Sequence, residues 1–155
     1  MFITTHALLG VLLGEQFASS PVLAFGLGLV SHFVADIIPH GDSGLYKDYA
    51  SGTKMKRAIA YVTLDGLVGM LLVLALFNTG LNTHRLAITA GIFGSVLPDV
   101  LVALYQVFHI KVLEPVNRFH FSFHTRITDK KGDIPFGAGV ALQVFLTILL
   151  LIRIW

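Results

Sequence analysis

Cysteine is absent from the 155 residues, which excludes disulfides and thiolate metal sites and leaves histidine, carboxylate and water as the available ligands. Charge is scarce too. Only 13% of residues are charged, against about 25% in soluble domains, and the net charge is +2. The sequence pI is about 9.1, yet the basic residues sit in connections beside apolar stretches rather than along one face. They read as topology signals, and no nucleic-acid partner is expected. The opening Met1 to His6 lacks the basic region of a signal peptide, so cleavage at the small residues Ala18-Ser19-Ser20 is not expected.

What the chain has in abundance is apolar sequence: 55% of residues, a mean hydropathy of +0.78, and long blocks rather than scattered positions. This is the composition of an integral membrane protein. Five apolar segments can be drawn, from Thr5 to Phe17, Pro21 to Pro39, Arg57 to Phe77, Arg85 to Phe108 and Ile134 to Trp155. The first is short of the roughly 20 residues a crossing needs. None alternates as a barrel strand would, so the expected fold is all-α: a polytopic membrane helical bundle of four to five hydrophobic helices in a single domain over residues 1–155. Thr4 or Thr5 can cap the first helix, Pro21 suits a first turn, and Pro39-His40-Gly41 can terminate the second. Glycines at 10 and 14, 26 and 28, 66 and 69, and 91 and 94 predict close helix packing.

The connections alternate in charge. His40 to Lys56 and His109 to Asp133 are basic, whereas Glu15 to Ser20 and Asn78 to His84 contain no lysine or arginine. By the positive-inside rule the basic pair faces the cytoplasm. The expected location is a bacterial or archaeal cytoplasmic membrane, with membrane lipids as neighbours; homo-oligomerisation is left open.

That topology brings polar residues together. His6 begins the first segment, His32 and Asp36 stand at i, i+4 near the end of the second, and His40 and Asp42 follow. Asp65 and Asp99 fall at matching depths in the third and fourth. His120 and His124 repeat the i, i+4 spacing in the last cytoplasmic loop. Embedded aspartates with no lysine or arginine at their depth would repel one another or protonate. A divalent cation resolves this, because mixed histidine and carboxylate ligation suits zinc, manganese or iron. A proton or ion pathway is the physical alternative. Pro98-Asp99 also fits a kink with a satisfied carbonyl, Asp65 a residue that orients a ligand, and Phe119, Phe121 and Phe123 membrane-surface anchors.

Together, Thr5-His6-Ala7-Leu8-Leu9-Gly10, the HxxxD of His32 and Asp36 with Pro39, Gly94-Ser95-Val96-Leu97-Pro98-Asp99, and the pair His120 and His124 resemble the YdjM-like family of membrane-bound metal-dependent hydrolases. The likeness spans nearly the whole chain. It implies a small helical membrane protein with metal-dependent hydrolase activity, more distantly similar to zinc-dependent phospholipase C. The closing motif departs from the His-Arg-Gly-x-Thr-His-Ser of many members, which leaves open whether His120 or His124 is the ligand.

The expected function is hydrolysis of a phosphoester in a lipid or lipid-linked substrate at the cytoplasmic leaflet. A divalent metal, zinc first, would be held by His6, His32, Asp36, His40, Asp99, His120 and His124, with Asp65 or Asp42 handling the attacking water. Lys54, Lys56 and Arg57 could attract an anionic headgroup. The alternative is a non-enzymatic metal or proton carrier, or a metal-stabilised scaffold.

Overall fold

The computed structural model describes residues 1–80 and 83–155; Leu81 and Asn82, in the expected connection from Asn78 to His84, lie outside the described residues. The described chain is helical throughout, with no strand. In order come α1 (Ile3–Gln16), α2 (Pro21–Asp36), α3 (Ser43–Ala50), α4 (Met55–Thr79), α5 (Arg85–Phe108), a 3-10 turn (Lys111–Leu113), α6 (Glu114–His124), α7 (Thr128–Lys131) and α8 (Phe136–Ile154).

Three of these, α4, α5 and α8, are long and apolar enough to cross a membrane. At 1.5 Å per residue they measure about 37, 36 and 28 Å, against a hydrocarbon core of about 30 Å. α2 is a shorter apolar helix of 16 residues. The surface fits that setting: Leu64, Leu71, Phe93, Phe145 and Ile152 are all exposed, as lipid-facing side chains are.

Helix starts and stops have local causes, some unlike those expected. Pro21 opens α2, and the Ser20 hydroxyl accepts from Leu23 N at 3.3 Å. α2 ends at Asp36, before the Pro39-His40-Gly41 stop, so Ile37 to Gly41 form a short irregular link. Neither Thr4 nor Thr5 caps α1. The cap position is Phe2, without a side-chain bond, and Asp65 of α4 supplies the acceptor instead: Thr4 N donates to Asp65 Oδ2 at 3.4 Å, and Thr4 Oγ1 to the Asp65 carbonyl at 2.8 Å. A carboxylate there satisfies a free first-turn N–H and complements the helix dipole. Both basic loops contain helix, α3 in one and α6 and α7 in the other.

The centre of the bundle is the packing of α5 against α1 and α2. It depends on missing side chains. A Cβ on Gly91 would strike the Gly10 carbonyl, one on Gly14 the Ile88 Cα, and one on Gly94 the Phe25 carbonyl. The helices therefore meet backbone to backbone, the small-residue packing of membrane bundles. Leu8, Val11, Leu76 and Ile88 form the buried apolar cluster beside these contacts. Gly26 and Gly66, by contrast, face open space.

Gly91→Ala should therefore destabilise the protein by at least about 1–3 kcal/mol, the usual cost of overpacking. Gly66→Ala should stay within about 0.5 kcal/mol of the parent, as open surface sites do. Thermal unfolding in detergent compares the two.

Candidate metal centre

At the end of the bundle where α2 stops, α1, α2, α5 and α6 each deliver a polar side chain to one place. His6, His32, Asp36 and His120 are almost wholly buried there, and Asp99 is partly open. The i, i+4 spacing sets His32 above Asp36, with His32 Nε2 3.2 Å from Asp36 Oδ2. Asp99, one residue after Pro98, enters from α5, its Oδ1 3.8 Å from His32 Nε2 and 3.9 Å from His120 Nε2. His120 Nε2 lies 3.6 Å from Asp36 Oδ2. Ligands about 2.0–2.2 Å from a tetrahedral ion stand about 3.3–3.6 Å from one another. These four side chains thus have the spacing of donors around one cation, and each offers an atom within 4.8 Å of the others.

A second set overlaps the first. Asp36, His40 and His124 offer donor atoms within 4.8 Å of one another, all three residues buried. Asp42 stands beside them, with Oδ1 3.1 Å from His40 Nε2 and Oδ2 3.3 Å from His124 Nε2. It occupies the N-cap position of α3, yet its carboxylate faces the histidines. Asp133 replaces it at the helix start, accepting from Gly41 N at 2.9 Å and Ser43 N at 3.0 Å. Gly41 takes a φ of +82° to make this turn, and the His40 carbonyl packs where a side chain on Gly139 would stand.

Hydrogen bonds to backbone fix two of the imidazoles. His32 Nδ1 donates to the Ser95 carbonyl at 2.8 Å, and His40 Nδ1 to the Ile38 carbonyl at 2.7 Å. In a neutral ring this leaves the Nε2 lone pair free. His32 Nε2 then faces Asp36 Oδ2, and His40 Nε2 faces Asp42 Oδ1, acceptor against acceptor. Asp36 Oδ2, His40 Nε2 and Asp42 Oδ1 are buried without a hydrogen-bond partner. Only a proton on each ring or a cation between the groups makes such contacts favourable.

Oδ1 of Asp36 is already engaged. It meets His6 Nε2 at 3.1 Å and forms an ion pair with the Met1 ammonium group. His6 stacks on His32 with ring centroids 4.1 Å apart, and belongs to neither donor set. It braces Asp36 and His32 from α1. Asp65 also stands apart from both sets, its carboxylate on the first turn of α1. Of the closing histidine pair, His120 belongs to the first set and His124 to the second. The phenylalanines of α6 pack rather than merely anchor: Phe33 meets Phe119 and Phe123 at 5.1 and 5.3 Å, and Phe121 meets Tyr46 at 4.7 Å. Lys54, Lys56 and Arg57 lie at the start of α4 and belong to neither donor set.

Outside the spans, the electrostatics suit ligation. Burial, only partly opposed by Asp36, lowers the His120 pKa to about 3, so the ring is neutral at physiological pH. Burial alone would raise the Asp42 carboxyl, but the imidazoles of His124 and then His40 beside it outweigh burial and hold the group well below the usual carboxylate range. For His124, burial favours the neutral ring, and the Asp42 bond reverses this and raises its pKa. Set between His40 and His124, Asp42 is placed to position both rings.

No protein-family model, curated protein or solved structure matches this chain.

A cation entering the second set must displace the His124 proton, whose pKa lies above the ordinary value of about 6.5. Metal affinity should accordingly rise with pH through and beyond about 6.5, with proton release near neutrality. Asp42→Asn should reduce that release. Calorimetric titration in two buffers of different ionisation enthalpy measures it.

Proposed function

We propose that the chain is a membrane-embedded, metal-dependent hydrolase that cleaves a phosphoester of a lipid or lipid-linked substrate at the cytoplasmic leaflet. The observation that carries the reading is the facing of acceptors, His32 Nε2 toward Asp36 Oδ2 and His40 Nε2 toward Asp42 Oδ1, in a buried place with no lysine or arginine among the donors. The resemblance to the YdjM-like hydrolases points the same way. So does the setting, a polar cluster at one end of a bundle with apolar outer surfaces, where a lipid substrate can arrive sideways from the bilayer. In this reading α1 and α2 join α4, α5 and α8 in the membrane to give four to five crossings, and the charge of the basic loops supports a cytoplasmic side for the cluster.

A divalent ion, zinc first, would supply Lewis acidity at this site, acidifying a water and polarising a phosphoryl oxygen. The chain's own residues do the rest. His32, Asp36, Asp99 and His120, with His40 and His124, hold position; His6 and Asp42 orient Asp36 and the second histidine pair. Asp99 stands at the partly open edge of the first set.

One observation favours the non-enzymatic alternative: four protein donors around one ion make a closed site, the arrangement typical of structural metals. Metal analysis and turnover separate the two. Protein purified in detergent should contain a divalent metal, and His32→Ala and Asp36→Ala should each lose it. Chelator should abolish phosphatase or phospholipase activity, and either variant should lower it by more than the roughly 10–100-fold seen on loss of a residue that only orients a ligand. Metal content unchanged in both variants refutes the site. Hydrolysis that survives chelation leaves binding intact and removes the catalytic role.

Sidedness is tested separately. Single cysteines at Ser51 and Thr83 should label from opposite faces of sealed vesicles, Ser51 from the cytoplasmic one; labelling from one face would break the convergence of loops on which the reading rests.

A further inference from the structure

The two donor sets differ in a way that assigns them different work. The first has four protein donors, His32, Asp36, Asp99 and His120; the second has three, Asp36, His40 and His124. Four donors saturate a tetrahedral ion, whereas three leave a position for water or substrate. The sets also share a residue. Asp36 belongs to both, and its Oδ2 is buried without a hydrogen-bond partner.

The second set has its own unmet valence. His40 Nε2 is buried without a hydrogen-bond partner and faces Asp42 Oδ1 at 3.1 Å, its ring is 2% exposed, and its Nδ1 is committed to the Ile38 carbonyl, so in a neutral ring the Nε2 lone pair meets a carboxylate with no donor between them. His40 and His124 approach with ring centroids 4.7 Å apart, and His120 and His124, one helical turn apart on α6, at 5.6 Å. α6 thus offers one histidine to each set from the same face. One ion in the first set would leave His40 unexplained; one in the second would leave His32 facing Asp36 and Asp99.

We propose that the centre binds two cations joined through Asp36: a closed ion held by His32, Asp36, Asp99 and His120, and an open ion held by Asp36, His40 and His124 that carries the exchangeable solvent position. The proposal rests on the metal-binding reading above and adds the number of ions, the bridge and the division of labour. Two linked ions with one open coordination position suit the displacement of a group from a phosphoester, where attacking and leaving oxygens both need stabilisation.

Manganese(II) alone is the probe, on full-length protein in detergent, with bound metal counted and electron paramagnetic resonance and solvent-proton relaxation recorded. The parent should bind two ions per chain with an exchange-coupled spectrum and enhanced relaxation from a coordinated water. His40→Ala should retain one ion, lose the coupling, and lose most of the relaxation enhancement per bound ion. His120→Ala should also retain one uncoupled ion but keep that enhancement. Asp36→Asn should weaken both sites at least tenfold and abolish coupling; should it fail to fold, the two histidine variants still decide the matter. One ion per chain in the parent overturns the two-ion proposal and leaves the hydrolase reading standing. Two ions without coupling overturn the Asp36 bridge, and equal relaxation loss in both histidine variants overturns the open and closed assignment. No bound ion at all overturns the metal reading itself.

Discussion

A carboxylate buried among apolar helices has to be matched atom by atom, and the matching of Asp36 organises one end of this molecule. Its Oδ1 is met by His6 from α1 and the Met1 ammonium group, while Oδ2 looks toward His32 and His120. Removing one partner from a buried charged pair costs about 3–5 kcal/mol, because the remaining charge is stranded. The start of α1, the end of α2 and the face of α6 are therefore constrained by one residue. Beside the cluster, the three-ring contact of Phe33, Phe119 and Phe123 fits α6 to α2.

Backbone contact lets such a small protein hold that carboxylate still. Because α5 meets α1 and α2 through Gly10, Gly14, Gly91 and Gly94, no flexible side chain separates the helices, and the Ser95 carbonyl can reach His32 across the interface. A site on interlocked helices keeps its donors in register better than one on loops. His40 and Asp42 are the exceptions. They sit on the link after α2, and it takes Asp133, the left-handed turn at Gly41 and the absence of a side chain at Gly139 to fix them.

Much of this was legible in the sequence, and what was not has a common cause. Hydropathy located the long helices, and Arg85 to Phe108 agrees at both ends with the observed α5. The i, i+4 pairs His32 with Asp36 and His120 with His124 were readable because helical spacing is local. Loop charge implied which residues share one end of the bundle, and most of them do meet. What local spacing could not show is contact between distant segments. Nothing in α4 announces that the Asp65 carboxylate lies on Thr4, and nothing near Asp42 announces that Asp133, 91 positions further on, takes the start of α3. The alternating Phe119, Phe121 and Phe123 suggested an interfacial comb, whereas helical geometry sends Phe121 to Tyr46 and the other two to Phe33.

α8 looks the least informative of the helices, with most of its length turned outward, yet two of its residues are buried and they stand one turn apart. Gly139 leaves room for the His40 carbonyl, and the Gln143 amide oxygen accepts from Thr5 Oγ1 at 2.5 Å. Neighbours such as Val144, Phe145 and Ile148 meet only the outside. Through generations of related sequences, such a helix would be free to drift among apolar residues along the outer face that carries Val144, Phe145 and Ile148. The inner ribbon would be held, Gly139 by the His40 carbonyl and Gln143 by Thr5, with Leu150, Leu151 and Ile154 continuing it against the apolar cluster.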